Sequence, residues 1–387
     1  MAAQDKPYRV YRGGRTKGKV PTLPPPERAP RRDGRRAAAG APMAQEQPER
    51  VRRVSWGRRI GIAIVVLLVV VLVWAVASFL AVRSGVREAN ARLDDGTRAT
   101  LAPDTGSLLS TTSVILLLGT DHSETIADRQ GARRSDSIML VRTDPRRGRL
   151  TFLSIPRDLQ VEVPGVGTQK INAAAQFGGP ALAIRTIRAF TGVRVNHVAV
   201  VDFGDFEELV DALGGITIDV PKPILSKRFD CPYPTEERCA RWEGWRFAAG
   251  KQKMDGRRAL IYSRIRVNQL DPAESDLTRG ERQQAVTQAI MRRMLSPVTL
   301  AKMPFVGDEL TAPVATDLSS WQFTQLAWVK FRADDGRSVH CRLGGEDSGG
   351  TLIPTEENRN VVSMFLGVSA PQPPAPGSLF APGCRVG

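Results

Sequence analysis

A chain of 387 residues with 55 Lys and Arg against 40 Asp and Glu has room for one large or two ordinary domains and a formal charge of +15. The excess is uneven: residues 1–59 hold 16 basic and 5 acidic side chains, whereas the rest of the chain is close to balance, at 39 against 35, so a nucleic-acid-binding role for the whole chain loses its support. Four cysteines with no CxxC pair, and only three histidines, speak against a zinc site.

Residues 1–59, with Pro24–Pro26, Gly13-Gly14 and scattered Arg and Lys, carry no apolar periodicity. They read as a disordered basic tail that lies near anionic lipid headgroups rather than on nucleic acid. Residues 60–82 (IGIAIVVLLVVVLVWAVASFLAV) hold no charge. At about 1.5 Å per residue they reach roughly 34 Å, enough to cross a hydrocarbon core of about 30 Å. Arg50, Arg52, Arg53, Arg58 and Arg59 precede the span, which predicts a cytoplasmic N-terminus and everything after residue 82 outside. Residues 83–111 read as a juxtamembrane stalk, weakly helical over 86–93, and the globular region is expected over 112–368.

The stretch from Ser113 to Asp158 organises that region. Its apolar runs 114–118, 138–141 and 150–155 are bounded by Gly, Pro and charge, the pattern of buried strands. Asp121 follows the first run, Arg134 and Asp136 precede the second, and Arg157 follows the third. Charges gathered at strand ends occupy the rim where open α/β sheets place their sites. Two carboxylates and two arginines there fit a metal ion beside an anionic substrate, and they equally fit ordinary solvated loop charge.

Further along, a helix is expected after Gly178-Gly179-Pro180 over 181–190, a strand over 196–201, a helix over 205–213 ended by Gly214-Gly215, and a strand over 216–220. Strands alternating with helices imply an α/β fold with a covered central sheet. Residues 222–250 form an excursion of obscure role. They carry Cys231 and Cys239, which are placed to staple a small loop outside the cytoplasm or to remain reduced and buried. Helices are expected over 278–295, 321–331 and 356–365, and residues 369–387 read as a loose Pro-rich tail. A second charged group spans 262–284. Arg264 and Arg266 point the same way in an extended segment, and Arg279, Arg282 and Gln283 share a helix face. Guanidiniums crowded on one surface suit phosphate oxygens, or else salt bridges to Glu274, Asp276 and Glu281.

In order, ILLLGTD, RSDSIMLV, FLSIPRD, KINAA, FGGP, VDF, DALGGITIDVP, YSRIR and DLTRGERQQ, then RLGGEDSGG, resemble the LytR–CpsA–Psr (LCP) family of bacterial cell-wall proteins, densely over residues 113–284. The resemblance implies a central mixed β-sheet covered by helices, with an apolar pocket between sheet and helices for a lipid chain. It further implies an extracytoplasmic phosphotransferase that moves a glycopolymer from a polyprenyl-diphosphate carrier to peptidoglycan, with Mg²⁺ or Mn²⁺. Carried over residue by residue, Asp121 and Asp136 hold the metal, and Arg157, Arg264, Arg266 and Arg279 clamp the diphosphate. Asp276, Gln283 and Lys170 complete the polar site, with Arg134 and Arg282 beside it. Asp276 and Asp158 both qualify as general base. The chain departs from the family pattern at Ser123, where arginine is usual, in the long VNQLDPAES segment after Arg266, and in the Cys231 loop. No GxxxxGK[ST] loop is present, in keeping with a carrier that is already activated. Alternative readings are a diphosphatase acting on the same carrier and a non-catalytic envelope regulator. Richness in Ala, Arg, Gly and Pro suggests an actinobacterial coding bias, and for such a source the family resemblance implies an arabinogalactan-type or other secondary wall polymer.

Overall fold

The computed structural model describes residues 56–104, 106–120, 135–226, 231, 233, 235–265, 267–271, 276–376 and 380–387; the basic-tail expectation lies outside them. The first element, α1 (Trp56–Ala91), holds an 18-residue window of mean hydropathy 3.2, and it alone among the described residues is long and apolar enough to cross a membrane. The expected stalk is different in kind. Helix α1 runs through residues 83–91, where Val86 and Ala89 are buried, and after α2 (Asp95–Thr100) Leu108 is buried as well. Apolar residues spaced three and four apart make this stretch an amphipathic face rather than a linker.

Three strands follow, β1 (Ser113–Thr120), β2 (Ser135–Asp144) and β3 (Arg149–Ile155), and then a ribbon of β4 (Gln160–Val163) and β5 (Gly167–Lys170). Helix α3 (Ala173–Thr191) is two helices joined by a kink. Gly179, at φ 60°, takes a conformation open chiefly to glycine, and Pro180 starts the second half. Next come β6 (His197–Asp202), α4 (Phe203–Ala212), capped by the Asp202 carboxylate on the Asp205 N–H, and β7 (Ile216–Val220). The excursion contains β8 (Ile224–Ser226), α5 (Glu236–Arg241) and β9 (Trp245–Phe247), with β8 paired to β9. Beyond it, β10 (Gly250–Met254) pairs with β7 and leads into α6 (Gly256–Arg264), α7 (Asp276–Met294), α8 (Pro297–Thr311), β11 (Ala315–Thr316) and α9 (Ser320–Arg332). The chain closes with β12 (Val339–Arg342), β13 (Gly345–Asp347), β14 (Leu352–Pro354), α10 (Glu357–Phe365) and β15 (Gly383–Val386).

The main sheet has seven strands in the order β11-β6-β1-β2-β3-β12-β15. Pairs β1/β6 and β3/β12 are parallel; β1/β2, β2/β3, β11/β6 and β12/β15 are antiparallel. The sheet is therefore mixed, as the resemblance implied. Strand periodicity divides its side chains. Leu116, Leu118, Leu140, Leu153 and Ile155 pack with α3 and α10, whereas Met139, Val141, Leu150 and Phe152 face Val329 of α9 on the other side.

Residues 369–387 are not a loose tail. Strand β15 closes the sheet edge, and Cys384 is bonded to Cys341 of β12 with Cα atoms 4.0 Å apart. Proline richness masked a four-residue strand too short to show a period. The Cys231–Cys239 pair is also a disulfide. Cys341–Cys384 closes 43 residues of separation, for which chain entropy gives about 4 kcal/mol of stabilisation. Replacing both cysteines by serine is expected to lower the denaturant-derived unfolding free energy by about that amount; an unchanged midpoint would show that the edge strand is held without the bond.

Candidate active site

The strand directions gather one set of ends on one rim. Thr120 ends β1 beside Ser135 at the start of β2, Ile155 ends β3 opposite Ile138, and Arg342 ends β12 beside Ser154. Strand ends far apart in sequence therefore meet because β1 and β3 run one way and β2 the other. Helix α7 begins at the same rim. A Cβ added at Gly280 would lie 2.8 Å from Ser154 Oγ, so glycine lets the first turn of α7 lie close against β3. That contact carries Arg279 and Gln283 to Arg157.

The resulting cleft, about 270 Å³, is lined by Ser154, Arg157, Arg279, Glu281, Gln283, Gln284, His340, Arg342 and Arg385, among others. Its charged lining among the described residues is four arginines against one glutamate. Arg279 is only 4% exposed. Arg157 donates from Nε to Asp158 at 3.2 Å, and Asp158 accepts from Lys170 Nζ at 3.0 Å, while Lys170 also donates to the Gly350 carbonyl at 2.7 Å. Lys170 thus orients Arg157 through Asp158. That carboxylate is engaged by two cations, an arrangement suited to positioning rather than to taking a proton. Arg342 donates to Glu281 at 3.2 Å and to the Ala381 carbonyl at 3.1 Å, and burial holds its pKa below the ordinary arginine value, with Glu281 opposing. Burial also lowers the His340 pKa; its ring stacks 5.0 Å from Phe152 and meets Gln284 and Gln288. The histidine is accordingly a neutral part of the wall near pH 7.

A second cavity of about 320 Å³ adjoins the cleft through Gln283, which lines both. Its walls are the sheet face that carries Ile115, Leu117, Ala199 and Val201 and, opposite, residues of α4, α6, α7, α8 and α9, including Phe206, Leu260, Met291, Met294, Leu310 and Leu326. Arg264 stands on its wall with the guanidinium 4.2 Å over the Phe203 ring, a cation–π arrangement. The geometry therefore offers a cationic cleft for a compact polyanion, opening beside an apolar chamber shaped for a hydrocarbon chain.

Of the expected site residues, Arg157, Arg279 and Gln283 line the cleft, with Arg264 one cavity away. Arg282 goes elsewhere: it is 6% exposed, donates to the Ile265 carbonyl, and lines neither cavity. It ties α7 to the segment that follows α6. Asp121, Arg134 and Arg266 lie outside the described residues, as do the side chains of Asp136 and Asp276. No group of three or more His, Cys, Asp or Glu able to hold a metal occurs among the described residues. Asp121 and Asp136 each adjoin, in sequence, the paired residues Thr120 and Ser135, and Mg²⁺ accepts two carboxylates while keeping several waters. Sequence reasoning missed Arg342, Arg385 and His340. Their signal, a charged end on a short strand, becomes readable only once β12 is known to lie parallel to β3.

A family model described as the LytR_cpsA_psr family matches residues 81–337. The polyisoprenyl-teichoic acid–peptidoglycan teichoic acid transferase TagU of Enterococcus faecalis is 31% identical over 232 residues, 60% of this chain and 69% of that protein. The regulatory protein MsrR of Staphylococcus aureus is 34% identical over 206 residues, 53% of this chain and 56% of its own length. Among solved structures, the crystal structure of B. subtilis TagV superposes with a TM-score of 0.52 at 25% identity, covering 67% of this chain and 98% of that one.

Proposed function

The chain belongs to the LytR_cpsA_psr family, and from that premise we propose that it is a membrane-anchored phosphotransferase that moves a glycopolymer from a polyprenyl-diphosphate carrier to peptidoglycan. The observation that carries the reading is the adjacency of the two cavities, an arginine-lined cleft beside an apolar chamber with Gln283 common to both. A polyprenyl diphosphate has that same division, a compact polyanion on a long hydrocarbon. The relative TagU, by its name, is a transferase of teichoic acid between polyisoprenyl-teichoic acid and peptidoglycan.

In this reading the prenyl chain fills the chamber and the diphosphate lies in the cleft against Arg157 and Arg279, with Arg264 on the lipid side. An acceptor hydroxyl of peptidoglycan attacks the phosphorus next to the sugar. A P–O bond forms to the acceptor, the bond to the bridging oxygen breaks, and polyprenyl phosphate leaves with the electron pair. Catalysis of this kind is positioning and charge neutralisation. Buried guanidiniums supply both, with forks that match phosphate oxygens. Asp276, at the first turn of α7 and three residues before Arg279, takes the hydroxyl proton, since Asp158 is engaged by Arg157 and Lys170. Asp121 and Asp136 would hold Mg²⁺ or Mn²⁺, which would add positive charge at the diphosphate. The arginines before residue 60 keep the N-terminus cytoplasmic and the domain outside.

The metal assignment has its own test. Asp121→Ala is expected to abolish the Mg²⁺ dependence of transfer and to lower its rate at least about 10²-fold, with the melting temperature unchanged. Wild-type transfer that is indifferent to EDTA, together with an active Asp121→Ala variant, would refute it.

A further inference from the structure

Helix α8 lies alongside the apolar part of α1. The Trp74 indole Nε1–H donates to the Ala301 carbonyl at 3.3 Å. Further up, a Cβ at Gly307 would sit 3.1 Å from Ala81 Cβ and from the Val82 backbone nitrogen, and one at Gly85 would collide with Asp308 and Thr311. The two helices therefore run parallel in close contact, from the Trp74–Ala301 level to the Gly85–Thr311 level. Trp74 lies eight residues before Val82, where the uncharged stretch ends, or about 12 Å down the helix axis. The beginning of α8 is consequently at the depth of the span's own apolar residues.

The outward side chains of α8 follow that depth. Near its start they are Val298, Ala301 and Phe305, the last 80% exposed, with Lys302 as the one charge; near its end they are Asp308 and Glu309. A solvated helix has no reason to sort its exposed face in this way along its axis. One that enters a bilayer beside a spanning helix does, with the lysine stem reaching toward the interface. The Trp74 bond fits the same setting, because an indole N–H in hydrocarbon needs an acceptor and no water is there to supply one. Met291 and Met294, at the end of α7 directly before α8, line the apolar cavity, so the chamber approaches this same level.

We propose that the first half of α8, Pro297 to Phe305, is embedded in the outer leaflet beside α1 and seats the domain on the bilayer, with the apolar cavity at hydrocarbon depth, where a polyprenyl carrier passes sideways from lipid into protein. This rests on the anchored-transferase reading, specifically on α1 spanning the membrane. The occupant of the α8 face is phospholipid, not a protein.

The full chain in phosphatidylcholine–phosphatidylglycerol vesicles allows the test. Its four native cysteines are paired in two disulfides, so single variants Phe305→Cys, Glu309→Cys and Val70→Cys each accept one bimane label. The expected result is that labels at 305 and 70 are quenched by doxyl-labelled lipid and protected from iodide, whereas the label at 309 is open to iodide. If 305 is open to iodide while 70 is in lipid, α8 is not embedded and the proposal fails, with the spanning reading intact. If 70 is also open to iodide, the spanning reading itself fails and takes the proposal with it. If 305 is shielded from both quenchers, a protein surface or a second copy covers α8, and the proposal is overturned. A functional arm stands beside it: Phe305→Asp should slow transfer from vesicle-borne carrier about tenfold and leave transfer from a detergent-dispersed short-chain carrier unchanged. Equal rates in both formats would contradict the lateral entry.

Discussion

Replacing Arg157 by alanine is expected to lower the rate of glycan transfer about 10²–10³-fold, the loss that follows when one donor to developing charge is removed from a preorganised site. Lysine at the same position recovers only part of it. A lysine keeps the charge but offers a point donor in place of the two-pronged fork that matches a phosphate. The structure adds a reason. Arg157 reaches the cleft while its Nε is held by Asp158, which Lys170 holds in turn. An ammonium at position 157 cannot bond Asp158 and face the diphosphate with the same geometry. Lys170→Met should therefore mimic the lysine variant more closely than the alanine one, raising KM and lowering kcat by smaller factors. Both Arg157 variants are expected to melt within a few degrees of wild type, because Asp158 retains Lys170 as a partner. A diphosphate-bearing carrier analogue should raise the melting temperature of the wild type and fail to raise that of Arg157→Ala. An Arg157→Ala protein that is destabilised without ligand, yet stabilised by the analogue as strongly as wild type, would make the arginine structural.

Filling the apolar chamber produces the second large effect. Ala199 of β6 faces it from the sheet, and Ala199→Phe places a ring where the hydrocarbon is expected. Displacing one five-carbon isoprene unit forfeits about 0.8 kcal/mol for each buried methylene-sized group, about 4 kcal/mol in all, so KM for a long-chain carrier should rise on the order of 10³-fold. A carrier of one or two isoprene units does not reach the obstruction and should keep its KM. Chain-length dependence is the discriminating readout, since a damaged fold would impair both carriers alike. Equal loss for long and short carriers would mean that the chamber does not hold the lipid.

Much of this arrangement was legible in the residues. Runs 114–118, 138–141 and 150–155 became β1, β2 and β3 because each is an apolar stretch cut off by glycine, proline or charge, and a buried strand writes that signal locally. The convergence of Arg157 with Arg279 was anticipated from motif order and is carried in space by Gly280 against Ser154. What was not legible depends on pairing between distant segments. Cys341–Cys384 joins β12 to a strand inside a proline-rich stretch, and Arg342 reaches the rim only because β12 lies parallel to β3. Neither partner marks the other in sequence. Arg282 illustrates a different limit. Helical spacing placed it on a face with Arg279, but a side chain displaced by three residues sits about 60° around the helix, enough for one to turn toward the cleft and the other toward the Ile265 carbonyl. The helical continuation of α1 was obscured by its charged residues, Arg83, Arg87 and Glu88, which occupy the solvent side of an otherwise packed face.

The central claim is transfer of a glycan, together with its phosphate, to peptidoglycan. It is tested most directly with a polyprenyl-diphosphate-linked glycan carrying ³²P only in the phosphate next to the sugar, incubated with the full chain in vesicles, Mg²⁺ and isolated peptidoglycan. The account predicts that the label becomes insoluble with the peptidoglycan, that muramidase digestion releases it still bound to glycan, and that unlabelled polyprenyl phosphate appears in equal amount. Label that instead accumulates as soluble glycan phosphate, whether or not peptidoglycan is present, would make the protein a diphosphatase, and label left on the carrier would remove the catalytic reading altogether.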